Sequence, residues 1–143
     1  MKNILVSIDF DDCDQLIIDK AIELGKAFNA KLWVIHIAAP NPDFVGYDAG
    51  PQHERDFRAN TLKKEHKQLH DYALQINTQG IKTESLLIQG STVDMVIEEA
   101  KKLNADLIIT GHQEHNFFYK AFFGSVSEQI ISKSKIPVLV VPV

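Results

Sequence analysis

ADLIITGHQEHNFFYKAFFGSVSEQIISKSKIPVLVVPV, residues 105–143, carries the pattern from which the fold is read. An apolar run, LIIT at 107–110, leads into a segment with Gly111 at its start and Gly124-Ser125 at its end. A helical spacing follows over residues 125–134, with Val126, Ile130 and Ile131 as its apolar positions, and the stretch closes on PVLVVPV. Strand, loop, helix, strand is the repeating unit of a parallel sheet, because parallel neighbours need a crossover connection and a helix supplies it. The strand runs are continuously apolar rather than alternating, as expected when helices cover both faces.

Working outward, the same unit recurs. Residues 3–8, 32–37 (LWVIHI), 85–88, 107–110 and 138–141 read as strands. Residues 14–28 space Ile17, Ala21, Leu24 and Phe28 three and four apart. A long charged helix is predicted from about residue 54 to 77, with Leu62, Leu69, Ala73 and Ile76 inward, and a shorter one over 93–103, with Val96, Ile97 and Ala100 inward. The series is βαβαβαβαβ, which predicts one doubly wound α/β domain over residues 1–143: a five-stranded parallel sheet in the order 3-2-1-4-5. In that order the strand sequence reverses between the first and fourth strands. Ligands of such sheets bind there, outside the carboxyl ends of the strands, where Asp9 and Gly111 are expected to meet. Residues 39–51, APNPDFVGYDAGP, hold three prolines and two glycines and read as a loop that could cover the same crevice.

The bulk numbers exclude several classes. The chain has 143 residues, 45% hydrophobic and 24% charged, which is globular rather than disordered composition. A formal net charge of -4 favours neither nucleic acid nor an anionic membrane as partner. Cys13 is the only cysteine, so no internal disulfide and no cysteine-based zinc site is available. The opening MKNILVSIDF is too short an apolar run for a signal peptide, and no stretch is long enough to span a membrane. A cytoplasmic protein is expected.

The glycine segment has the chemistry of a phosphate loop. Phosphate wants backbone N–H groups with a helix N-terminus behind them and no side chain in the way. Ser125 can cap the last helix and offer a hydroxyl. The alternative is that Gly111 ends a strand and Gly124-Ser125 only begins a helix. Asp9 suits the hydroxyls of a ribose; Asp11 and Asp12 compete to cap the first helix. Three acids beside a phosphate repel it, and a bound cation could offset the repulsion. His112, Glu114 and His115 suggest a metal by residue type, but their spacing on a loop is not that of a preformed site. The aromatic cluster of Phe117, Phe118, Tyr119, Phe122 and Phe123 reads as packing. His53, His66 and His70 are expected in solvent.

ILVSID at 4–9 with its acidic helix start, LWVIHI, ADLIITG and GSVSEQIISKSKIPVLVVPV together resemble the universal stress protein family, and FVGYDAGPQHERD at 44–56 resembles a stretch of one bacterial branch. The resemblance spans all five strands. Its ATP-binding members share G-x2-G-x9-G-[S/T]. On this chain the motif falls on Gly111, Glu114 and Gly124-Ser125, with the spacer 115–123 intact and glutamate at the second glycine position. The resemblance implies an adenine nucleotide, ATP or another, with magnesium as a candidate companion. Asp9 would meet the ribose, Ser7 and the backbone of Ile37 would flank the adenine, and Gly111, Gly124, Ser125 and Val126 would hold the phosphates. A Glu114 charge about 4 Å from phosphate would cost about 4 kcal/mol at an effective dielectric of 20.

Three rivals accompany the binding-module reading. A slow ATPase would need a metal ligand and a water-orienting residue, and Asp11, Asp12, His112, Glu114 and His115 form no recognisable set. A family member that has lost its nucleotide would act through dimerisation and protein partners alone. A receiver-type switch would need an aspartate at the end of the third strand, and LLIQGS has none. The resemblance also implies a homodimer. An apolar edge strand over residues 137–143, from Pro137 on, invites pairing with a second copy.

Overall fold

A computed structural model describes residues 1–39, 52–112 and 125–143. Within them the elements run β1 (Asn3–Ser7), α1 (Asp14–Phe28), β2 (Lys31–Ala38), α2 (Gln52–Asn77), β3 (Thr83–Gln89), α3 (Thr92–Lys102), β4 (Leu107–His112), α4 (Val126–Lys133) and β5 (Val138–Pro142). All pairings are parallel and the strand order is β3-β2-β1-β4-β5, as the alternation of apolar runs and helical spacings predicts. Leu24 is only partly buried and Phe28 is exposed. The buried stripe of α1 is Ile17, Ile18, Ala21, Ile22 and Gly25 instead. On α4, Val126 and Ile131 are exposed, and the inward side is Ser127 with Ile130. In both helices an apolar residue one position off the buried face stays in solvent.

The pleat sorts the core into two layers, because successive strand residues point to opposite faces. Ile4, Val6 and Ile8 pack with Ile17, Ile18 and Ala21 of α1 and with Leu69 and Ile76 of α2. Leu5, Ile35 and Ile37 pack with Val93, Val96, Ile97 and Ala100 of α3 and with Ile130 of α4. Each of the Ile, Leu and Val side chains among these contributes about 1.5–3 kcal/mol by leaving water. A strand covered on both faces cannot slip by one residue without exchanging its two core sets.

Gly111 lies within β4, opposite Val141 of β5. A Cβ there would come within 2.7 Å of Ile17 Cδ1 on α1. Close approach of α1 therefore favours glycine at 111 whether or not a ligand does, since any side chain there would push Ile17 Cδ1 aside. Gly111→Ala should destabilise the wild type by about 1–2 kcal/mol in urea unfolding. In an Ile17→Val background, which removes Cδ1, the same change should cost less. A cycle with no coupling would show that Ile17 is not the obstacle.

Candidate functional site

The strand order reverses between β1 and β4. Val6 of β1 lies against Ile109 of β4, so Ser7 and Gly111 follow within two residues of that pair, at the carboxyl ends of both strands. Ser7 is buried and closes β1. Ile37 is buried near the end of β2, beside Ile88 of β3. Gly111 and His112 end β4, and Ser125 caps α4. The tertiary fold thus brings Ser7, Asp9, Ile37, Gly111, Ser125 and Val126 to one end of the sheet. Glu114, Gly124, His115 and the Phe117–Phe118 pair lie outside the described residues, as does the predicted loop from residue 40 to 51.

Ser125 forms a reciprocal cap. Its Oγ accepts from the Glu128 N–H at 3.2 Å, and its own N–H donates to Glu128 Oε2 at 3.0 Å. That leaves the N–H groups of Val126 and Ser127, at the first turn of α4, without an intrahelical acceptor. N–H groups at a helix start attract anions. The Ser125 hydroxyl also lies 2.9 Å from the Ser127 hydroxyl and 3.3 Å from His112 Nδ1, and Ser127 Oγ is 2.8 Å from the same nitrogen. These contacts join the end of β4 to the start of α4. Sequence reasoning did not anticipate this use of His112, because residues 112 and 127 are distant in the chain. Among the described residues no group of three or more His, Cys, Asp or Glu side chains could hold a metal ion.

The β1–α1 connection corrects the expected cap. Neither Asp11 nor Asp12 is the N-cap of α1; Cys13 holds that position and its side chain makes no capping bond. Asp11 Oδ1 instead accepts from the Cys13 N–H at 2.8 Å, tightening the turn one step earlier. The structural anchor is Asp14, which has no exposed surface. Its Oδ1 accepts from the Asp9 N–H at 3.2 Å and its Oδ2 from the Phe10 N–H at 2.8 Å. Phe10 sits at φ +61°, a left-handed conformation that costs a non-glycine residue about 1–2 kcal/mol. The bond to Asp14 offsets that cost. So does the Phe10 ring, which lies 4.3 Å from that of His36. His36 is buried, donates from Nδ1 to the Ile8 carbonyl at 2.8 Å, and has Nε2 3.9 Å from Glu65 Oε1 on α2. An Asp in the first turn of a helix was visible in the sequence; that it turns back to hold the preceding loop was not.

Asp9 is exposed as a residue, yet neighbouring atoms strip enough water from its carboxylate to raise its pKa. His36 lowers it and Asp11 raises it further. Burial raises Asp14 to about 6; the Asp9 and Phe10 N–H groups oppose this, while Asp11 and Asp9 add repulsion. Tyr72 of α2 is raised by burial and then by Asp14 and Asp11.

The site can be compared with known proteins. A family model described as the universal stress protein family matches residues 1–142. The chain belongs to the universal stress protein family. A universal stress protein of Methanocaldococcus jannaschii is 28% identical over 146 residues, covering 98% of this chain and 81% of the relative. A solved universal stress protein in complex with cAMP is 22% identical with a TM-score of 0.71, covering 99% of this chain and 96% of that one. The universal stress protein of Archaeoglobus fulgidus in complex with dAMP is 20% identical with a TM-score of 0.63, covering 98% and 97%. These structures share the fold of this family member. No helix among its described residues is long and apolar enough to cross a membrane.

A stability test isolates Asp14. Its folded pKa lies above the unfolded value of 3.8, so the folded state binds more protons between about pH 4 and 6. Its contribution to stability is therefore fully present below pH 4 and is lost as pH rises to about 6. Stability relative to Asp14→Asn should fall across that window and level off above it, read by chemical unfolding at stepped pH. A difference independent of pH would show that Asp14 titrates normally.

Proposed function

We propose that this universal stress protein is a cytoplasmic regulatory binding module that takes an adenine nucleotide at the carboxyl ends of β1, β2 and β4. The observation that supports the reading is that Asp9 follows β1, Gly111 lies at the end of β4 and Ser125 caps α4, all at the carboxyl end of the sheet beside the strand-order reversal, the position where doubly wound sheets bind ligands. Support comes from family members of the same fold in complex with cAMP and with dAMP. Asp9 would accept from the ribose. Ser7 and the Ile37 backbone would border the base. The N–H groups of Val126 and Ser127, together with Gly111, Gly124 and Ser125, would meet phosphate. The Ser125 hydroxyl is already engaged by Glu128, His112 and Ser127, so its backbone surroundings matter more than its oxygen.

Glu114 at the second glycine position favours few phosphates over many. AMP or ADP is expected to bind more tightly than ATP, with magnesium mattering most for ATP because a cation would lie between carboxylate and phosphate. Calorimetric titration of the three nucleotides, with and without magnesium, should give Kd values in the micromolar range for the best ligand, and Asp9→Ala should weaken it about tenfold. The absence of heat up to about millimolar nucleotide would overturn the reading in favour of a family member acting through protein partners alone.

The proposal includes a homodimer through residues 137–143. β5 is an edge of the sheet, and Val138 to Val141 are only half-buried along it. An apolar edge strand of this kind is covered when two copies pair. In sedimentation velocity the wild type should run as a dimer and Val140→Lys should shift towards monomer. An unchanged dimer in the variant would move the interface elsewhere, and a monomeric wild type would remove it.

A further inference from the structure

We propose that Asp14 is a positioning residue for the nucleotide site, holding the Asp9 backbone through its ionised carboxylate and releasing it on taking up a proton. The inference rests on the adenine-nucleotide reading above and adds a proton-linked control to it.

The geometry divides the work between two oxygens. Oδ1 takes the Asp9 N–H and Oδ2 takes the Phe10 N–H. An ionised carboxylate accepts both. A neutral carboxyl keeps one carbonyl acceptor, and its other oxygen carries a proton that faces an N–H donor. Protonation must therefore break or weaken one of the two bonds. The group is fully buried, so water cannot replace the lost partner without local opening. Phe10 is in a left-handed conformation that its N–H bond helps to hold. Loosening it frees the backbone that carries Asp9.

The surroundings make Asp14 the group that switches. Asp9 and Asp11 face it from its own loop, and Tyr72 faces it from α2. β1 and β5 carry no titratable side chain. β4 carries only His112, engaged with Ser125 and Ser127. β2 carries His36, which acts on Asp9, and Lys31, which is engaged with Glu84 and lies over the Trp33 ring. The raised pKa, about 6, puts the change within reach of a mild acidification. The sign is opposite to that for global stability. A proton relieves the buried charge and stabilises the fold, while it opens the clasp and weakens the site.

The test uses the whole chain, labelled with nitrogen-15, and AMP as probe. In the free protein the amide resonances of Asp9 and Phe10 should titrate together with the Asp14 carboxyl carbon, with a midpoint near 6. AMP affinity should fall about tenfold from about pH 7.5 to pH 5. Asp14→Asn should bind at pH 7.5 with about the weakened affinity and lose this pH dependence. Asp9→Asn should keep the Phe10 amide titration, which separates Asp9's own protonation from that of Asp14. Amides that ignore the Asp14 carboxyl in the wild type overturn the proposal without recourse to any variant. Wild-type affinity and pH profile in a folded Asp14→Asn overturn it too. A wild type that binds no AMP at any pH, with the amide titration intact, instead overturns the nucleotide reading and takes the positioning role with it.

Discussion

The parallel pairing of β1 with β4 is the constraint on which the rest of the molecule depends. Ile4, Leu5 and Val6 are wholly buried and pair with Leu107, Ile108 and Ile109. Because the next strands are added outward from this pair in opposite directions, α1 and α2 cover one face of the sheet and α3 and α4 the other. α1, which follows β1, and α4, which follows β4, therefore lie on opposite faces. In doubly wound sheets ligands bind at such a reversal, outside the carboxyl ends of the strands, where β1 and β4 end and α4 begins in this chain. The candidate site is placed by that reversal.

At that end, polar groups are tied to the scaffold by contacts that span the chain. His112 links to Ser125 and Ser127 across the segment between β4 and α4. Asp14 reaches back over the turn that carries Asp9. His36 reaches from β2 to the Ile8 carbonyl and packs its ring, tilted, against Phe10. Each tie places a buried or half-buried polar group against a partner, which is the condition under which such groups are tolerated in a core. Together they order this end of the sheet.

Much of the fold was legible because its strands are buried on both faces. Continuous apolar runs such as LWVIHI mark these strands, and helical spacings between them leave few other topologies. Errors fell at helix surfaces. Phe28 and Ile131 are apolar and correctly spaced yet exposed, because the position of a helix on the sheet is set by its closest contact, such as Gly25 of α1 near Leu32 and Ile81. The placement of Asp9, Gly111 and Ser125 at strand ends and a helix start was readable. Asp14 and the link from His112 to Ser127 were not, since burial and side-chain direction leave no trace in local spacing.

By itself the sequence determined the order of elements, the parallel sheet and family membership, because periodicity and apolar run length are local properties. The tertiary structure alone decided what the polar residues do. It turned Asp14 from a helix-start acid into a buried clasp, set Gly111 close against Ile17 as well as leaving it a candidate phosphate contact, and moved the cap of α1 to Cys13. The reason is physical. A side chain's ionisation, partners and steric room depend on desolvation and on neighbours from other elements, and those are fixed only when the sheet and its helices come together.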